Sequence, residues 1–183
     1  MKKAFFNGLL FFLISLGVQA QMEEVRIGWK EEALSWKDFK AAPDPDSPFS
    51  ANTSSGISYS WSMKSSATGK EYSYEVTSFF IPQKSWVKGG KTSKNLLAHE
   101  QLHFDITELH ARKLRKALAE FDFQNSREVK AALQEIYKKA ELKRAVTQKK
   151  FDAETRHSMD EAAQLKWQKF VAEELKKLEE FSS

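Results

Sequence analysis

Two of the four histidines of this 183-residue chain stand four apart, in Leu97-Ala98-His99-Glu100-Gln101-Leu102-His103, and a glutamate directly follows the first. On a helix, positions four apart differ by about 40° in direction and about 6 Å in rise. Two imidazoles so placed can offer one ring nitrogen each to a single zinc, at about 2.0–2.1 Å. The residue after the first histidine points about 100° away, so Glu100 reaches beside the metal rather than onto it. There it can hold a metal-bound water and take its proton. His-Glu-x-x-His is the spacing of zinc peptidases, with two ligands and a general base. The plainer reading is a pair of histidines on an ordinary helix.

A catalytic zinc takes three protein ligands and keeps one position open. With His99 at 0° and His103 at about 40°, Glu108 falls at about 180° and Asp105 at about 240°, so both carboxylates point away. His110 returns to about 20° but lies about 10 Å further along the axis from His103. It could line a cleft, but it cannot share the ion. His157 remains. If the motif helix and the next helix form an antiparallel hairpin, Phe151-Asp-Ala-Glu-Thr-Arg-His-Ser158 reverses the chain close to the metal. His157 is therefore the expected third ligand. Asp152 and Glu154 flank it, and either could accept a hydrogen bond from a ligand histidine's free N–H; a solvated loop carboxylate is the equal alternative. Arg156 or Tyr137 could stabilise an oxyanion, although such residues are more often structural.

The elements that must position these groups fall into two halves. Residues 94–181 contain no Gly or Pro and are dominated by Ala, Leu, Glu and Lys, which favours helix. The first helix is expected from Ser93 or just after it to about Glu120, burying Leu96, Leu97, Leu102, Ile106, Leu109, Leu114 and Leu118. The second is expected from Asn125, capped with Glu128, to about Lys150. The third is expected from a Ser158/Glu161 capping box, with Ala163, Trp167, Phe170, Val171, Leu175 and Leu178 at helical spacing. The basic run 111–116 reads as a solvated helix face. Residues 23 to about 90 carry all four prolines and alternate in period two. Val25, Ile27 and Trp29 share a face, as do Ile57, Tyr59 and Trp61, and Tyr72, Tyr74 and Val76 with Phe79 or Phe80. These predict antiparallel strands with one buried face, and Trp29, Trp36, Trp61 and Trp86 read as their core. Ala41–Pro48 is a loop, and 88–93 is a joint. The fold class expected is α+β: a small antiparallel sheet, mainly within 21–92, followed by a three-helix half, 93–183, in one domain.

The first 20 residues have the charged start (Lys2, Lys3), apolar core and Val18-Gln19-Ala20 end of a cleaved export signal. Cleavage leaves 163 residues and, with two lysines gone, lowers the formal charge from +4 to +2. So small a surplus argues against a nucleic-acid partner. The chain has no cysteine, so a metal site must use His and carboxylates, a set that suits Zn²⁺. The expected location is periplasmic or secreted, with no stable membrane insertion after cleavage.

Leu96-Leu-Ala-His-Glu-Gln-Leu-His-Phe-Asp-Ile-Thr-Glu-Leu-His-Ala-Arg-Lys-Leu114 resembles the motif helix of a bacterial family catalogued as a domain of unknown function and predicted to comprise secreted zinc-dependent proteases. Residues 151–158 resemble its second block, an aromatic-Asp-x-x-Thr-x-His-Gly pattern. Leu34-Ser-Trp-Lys-Asp-Phe-Lys-Ala-Ala-Pro43 and Ala51–Trp61 resemble its N-terminal half. Phe151 stands where the pattern has Tyr, and Ser158 where it has Gly. The resemblance implies zinc on His99, His103 and His157, with Glu100 as base. The function expected is peptide-bond hydrolysis by zinc-activated water on a peptide or protein substrate, with strand residues somewhere in 72–87 pairing with an extended peptide. The alternative is a non-enzymatic exported binding module with a structural or vestigial metal.

Overall fold

The computed structural model describes residues 24–182, apart from 31, 68 and 124–127; the export signal and the Asn125 cap lie outside them. The α+β organisation is present. Strands β1 (Ile27–Gly28), β4 (Gly69–Phe80) and β3 (Ser55–Ser66) form an antiparallel sheet in that order. β2 (Ala51–Asn52) and β5 (Trp86–Val87) pair as a separate two-stranded ribbon. Helices α1 (Lys94–Ala119), α2 (Val129–Thr155) and α3 (Glu161–Lys177) follow. No helix among the described residues is long and apolar enough to cross a membrane.

Helix α1 starts at Ser93, whose side chain accepts from the Leu96 N–H. It is the axis of the molecule, and each of the three hydrophobic clusters draws on it. Ala111, Leu114 and Leu118 pack with Ile57 and Val76 of the sheet and Leu133 of α2. Leu102 and Ile106 meet Phe151, Trp167 and Val171. Phe104 joins Leu34, Phe39 and Phe80. Period two therefore runs unbroken along β4 through Val76, Ser78 and Phe80. Phe79 turns to the other face, where its ring lies over Gly56; a Cβ there would meet it at 2.9 Å.

Four local expectations need correction. The first strand is two residues long, and Val25 is exposed. The basic run is not a solvated face: Arg112 and Arg115 are buried and both donate to the fully buried Glu108. Helix α2 continues past Lys150 to Thr155, because Phe151 is fully buried between α1 and α3, a burial worth about 2–3 kcal/mol. Asp160, not Ser158, caps α3, accepting from the Ala163 N–H at 2.9 Å. Ser158 cannot cap, since Arg156, His157 and Ser158 all take positive φ (51°, 53° and 70°) in the turn between the helices.

Candidate metal centre

Extending α2 to Thr155 places Asp152 on the helix, one turn beyond Gln148 and facing α1. Asp152 Oδ1 lies 3.2 Å from His99 Nε2 and 3.0 Å from His103 Nε2. His99, His103 and Asp152 thus form a group able to hold a metal ion, with ligand atoms all within 4.8 Å of one another. Ligands at 2.0–2.1 Å around a tetrahedral zinc stand about 3.3 Å apart, so the two measured separations suit that ion. Phe151, next to Asp152, floors the site: its ring stacks on His99 at 4.4 Å and meets His103 edge-on at 4.9 Å.

The hydrogen bonds behind the histidines fix their tautomers. Gln164 donates through Nε2 to the Asn95 carbonyl and to Asn95 Oδ1. Its Oε1, 3.2 Å from His99 Nδ1, must therefore accept. Gln148 likewise donates through Nε2 to the His103 carbonyl and Thr107 Oγ1, leaving Oε1 to accept from His103 Nδ1 at 2.6 Å. Both imidazoles carry their proton on Nδ1 and turn an Nε2 lone pair toward the Asp152 carboxylate. Three acceptors converge on one point. Such a donor set requires a cation between them, either a divalent ion or, without one, a proton on an imidazole. The electrostatics agree. Burial works against a charge on Asp152, but without an ion the hydrogen bonds that His103 and His99 make once protonated at Nε2 outweigh it and hold the carboxyl far below the usual range. Burial also opposes protonation of His103, and Asp152 overcomes it and raises that imidazole.

Glu100 is buried, and burial pushes its carboxyl above the ordinary carboxylate range, partly offset by His103. It lines the same cleft as the three ligand candidates, a depression of about 250 Å³. Its backbone carbonyl accepts from Thr53 Oγ1 at 3.1 Å, which ties the motif to the facing strand segment. That facing wall is 49–55, not 72–87: Ala51, Asn52 and Thr53 line the cleft.

His157 also lines the cleft but is half exposed; its Nδ1 is 3.7 Å from Asp152 Oδ1 and its ring lies tilted against Phe49, with centroids 4.6 Å apart. It does not join the group of three. His110 is outside the cleft lining and bonds Thr147. Glu154 accepts from Trp167 Nε1, and Tyr137 donates to the Ile57 carbonyl. Neither, nor Arg156, reaches the site. Gln148 and Gln164 were missed in the sequence, since glutamines on helices carry no signal without a partner to point at. Asp152 was visible there, as a hydrogen-bond partner for a ligand histidine or as a solvated loop carboxylate.

No curated protein and no solved structure matches the chain. A model of a family of bacterial proteins of unknown function, DUF922, matches residues 31–158. The matched stretch takes in His99, Glu100, His103, Asp152 and His157 and stops short of Gln164. The chain belongs to that DUF922 family of bacterial proteins.

Proposed function

We propose that this protein is an exported zinc-dependent hydrolase that cuts peptide bonds. The convergence of two Nε2 lone pairs and a carboxylate oxygen beside a buried glutamate carries the reading. His99, His103 and Asp152 would hold Zn²⁺, a two-histidine, one-carboxylate set of the kind catalytic zinc uses. A bound zinc supplies Lewis acidity, acidifying water and polarising a carbonyl. Glu100 takes a proton from the attacking water, for which a carboxyl raised by burial is well matched. It then returns that proton to the leaving amine. Gln148 and Gln164 hold the imidazoles in the ligand tautomer, and Phe151 keeps water from beneath them. The segment 49–55 offers the wall along which an extended peptide would lie.

A second arrangement rests on the 3.7 Å separation between His157 and Asp152. His157 would swing onto the ion as third ligand, and Asp152 would brace the histidines. If both ligate, the set closes at four, which favours a structural metal and a binding module. Zinc stoichiometry and affinity, measured by competition with a chromogenic chelator, separate these arrangements. The mature protein should bind one zinc. Asp152→Asn should lose more than the roughly 10–100-fold typical of an outer-shell partner, and His157→Ala should lose less. The reverse order establishes the second arrangement. Glu100→Gln should keep its zinc while hydrolysis of a peptide library falls by about 10²–10⁴-fold. A zinc-loaded wild type that cuts no peptide ends the hydrolase reading.

A further inference from the structure

Arg144 is the one lysine or arginine among the residues lining the cleft. Arg144, Gln148 and Asp152 follow one another at four-residue steps on one stripe of α2, so Arg144 stands about 12 Å along the axis from the ligand carboxylate. Glu141 grips its guanidinium through two bonds, Nε at 3.1 Å and Nη2 at 2.8 Å. That grip fixes the plane of the fork. The remaining arm, Nη1, turns to the Ser55 carbonyl at 3.4 Å, a length at which little is held.

The cleft has two unlike ends. Residues 49–55 cross it antiparallel to α2, so Phe49 meets His157 at one end and Ser55 meets Arg144 at the other. The first end is aromatic, and the second presents a braced cation with an arm to spare. A fixed guanidinium is the group best matched to a carboxylate, which it engages through parallel N–H donors. An extended chain advances about 3.3 Å per residue. A carboxylate on Arg144 would therefore lie roughly two to four residues from a bond placed over Glu100.

Building on the hydrolase reading, we propose that Arg144 sets substrate specificity by binding a carboxylate of an extended peptide, on one fixed side of the bond to be cut. The carboxylate is an Asp or Glu side chain or the free C-terminus. Zinc-loaded Glu100→Gln protein, which should bind without cutting, is passed over a random hexapeptide library, and the retained peptides are sequenced by mass spectrometry. The same selection is run with Arg144→Gln and Arg144→Lys added, and with the library C-terminally amidated. Thermal melts check that each variant is folded.

If a side chain is bound, the retained pool should be enriched about tenfold or more in one acidic position, with or without amidation; if the C-terminus is bound, retention should fall about tenfold or more on amidation, the scale of a hydrogen bond to a charged group. Arg144→Gln should abolish whichever effect is seen, and Arg144→Lys should keep part of it. A pool with neither an acidic preference nor a loss of retention on amidation, an effect unchanged in Arg144→Gln, or no retention at all overturns the proposal. Cutting of the retained peptides by the zinc-loaded wild type is scored separately. Retention without cutting keeps the carboxylate site and removes the hydrolase.

Discussion

At the scale of single residues, the site depends on where two protons sit. An imidazole whose partner accepts at Nδ1 keeps Nε2 free, and the energetic work is done by two neutral amides, Gln148 and Gln164. Replacing either with methionine keeps the length of the side chain and deletes the acceptor. Zinc affinity should then fall by about 10–100-fold, with little change in the fold. Nitrogen-15 NMR of the metal-loaded protein should show His99 and His103 protonated at Nδ1 in the wild type. A wild type whose histidines carry the proton on Nε2 would remove the tautomer argument, and unchanged zinc affinity in both variants would show that the glutamines do not orient ligands. The His-Glu-x-x-His spacing was legible because it is a property of one helix. The place of Asp152 beside the two histidines was not, because it depends on where a second helix stops. Phe151 decided that: an aromatic read as part of a connecting loop is an anchor between two helices, and it carries Asp152 with it. The glycine expected at position 158 held the relevant signal. Here Ser158 adopts φ +70°, a conformation that glycine reaches at less cost.

At the scale of elements, α1 and α2 are joined away from the candidate metal group as well as at it. His110 is buried on α1 and donates through Nε2 to Thr147 Oγ1 on α2, at 2.9 Å; Thr147 in turn donates to the Lys143 carbonyl. Burial, helped by Lys113, Arg144 and Lys143, lowers this imidazole from 6.5 to about 4. The folded state therefore resists protonation that the unfolded chain accepts. Unfolding free energy should fall as pH drops from about 6.5 toward 4 and level off below that, with a contribution on the order of 2–3 kcal/mol. Asp152 and the other carboxylates also titrate at the lower end, so the comparison with a variant isolates the term. His110→Gln keeps a donor for Thr147 and cannot titrate. Urea unfolding at pH 7 and at pH 4.5 should show the wild type losing more stability between them than His110→Gln does. Equal losses would mean that His110 is hydrated in the folded protein. The first helix was readable to within a residue at both ends, because capping and the lack of Gly and Pro are local, whereas α2 starts at Val129 and α3 at Glu161, each later than its expected cap implied. The strands were readable where they are long. β1 shrank to two residues, with Ile27 and Gly28 opposite Phe80 and Phe79 and one further backbone bond from the Trp29 N–H to the Ser78 carbonyl.

At the scale of the whole molecule, two charged centres sit on opposite sides of α1. One is the candidate metal group. The other is Glu108, which accepts from Ser78 Oγ at 2.6 Å, Arg112 Nε at 2.9 Å and Arg115 Nη1 at 3.0 Å. The two arginines go on to hold the carbonyls of Leu175, Phe181 and Val76. The sheet, the central helix and the end of the chain are thus fastened to a single carboxylate. The sequence hid this centre, because Arg-Lys-x-Arg on a helix looks solvated until something buried is found to neutralise it. Glu108→Gln would leave two guanidinium groups buried with no counter-charge, which should cost about 3–5 kcal/mol. A bound zinc at 100 times its dissociation constant should add about 2.7 kcal/mol, since it binds only the folded chain. Glu108 and His103 are separated by about 7 Å along the axis and face away from each other, and they share no hydrogen-bond partner. Effects at such sites add to within about 0.5 kcal/mol. The stabilisation by zinc should therefore be the same in Glu108→Gln as in the wild type, and zinc affinity should change by no more than about twofold. Denaturation of both proteins with and without zinc closes the thermodynamic cycle. A tenfold loss of zinc affinity in Glu108→Gln would show that the clamp shapes the metal site through α1, and that the two centres work as one.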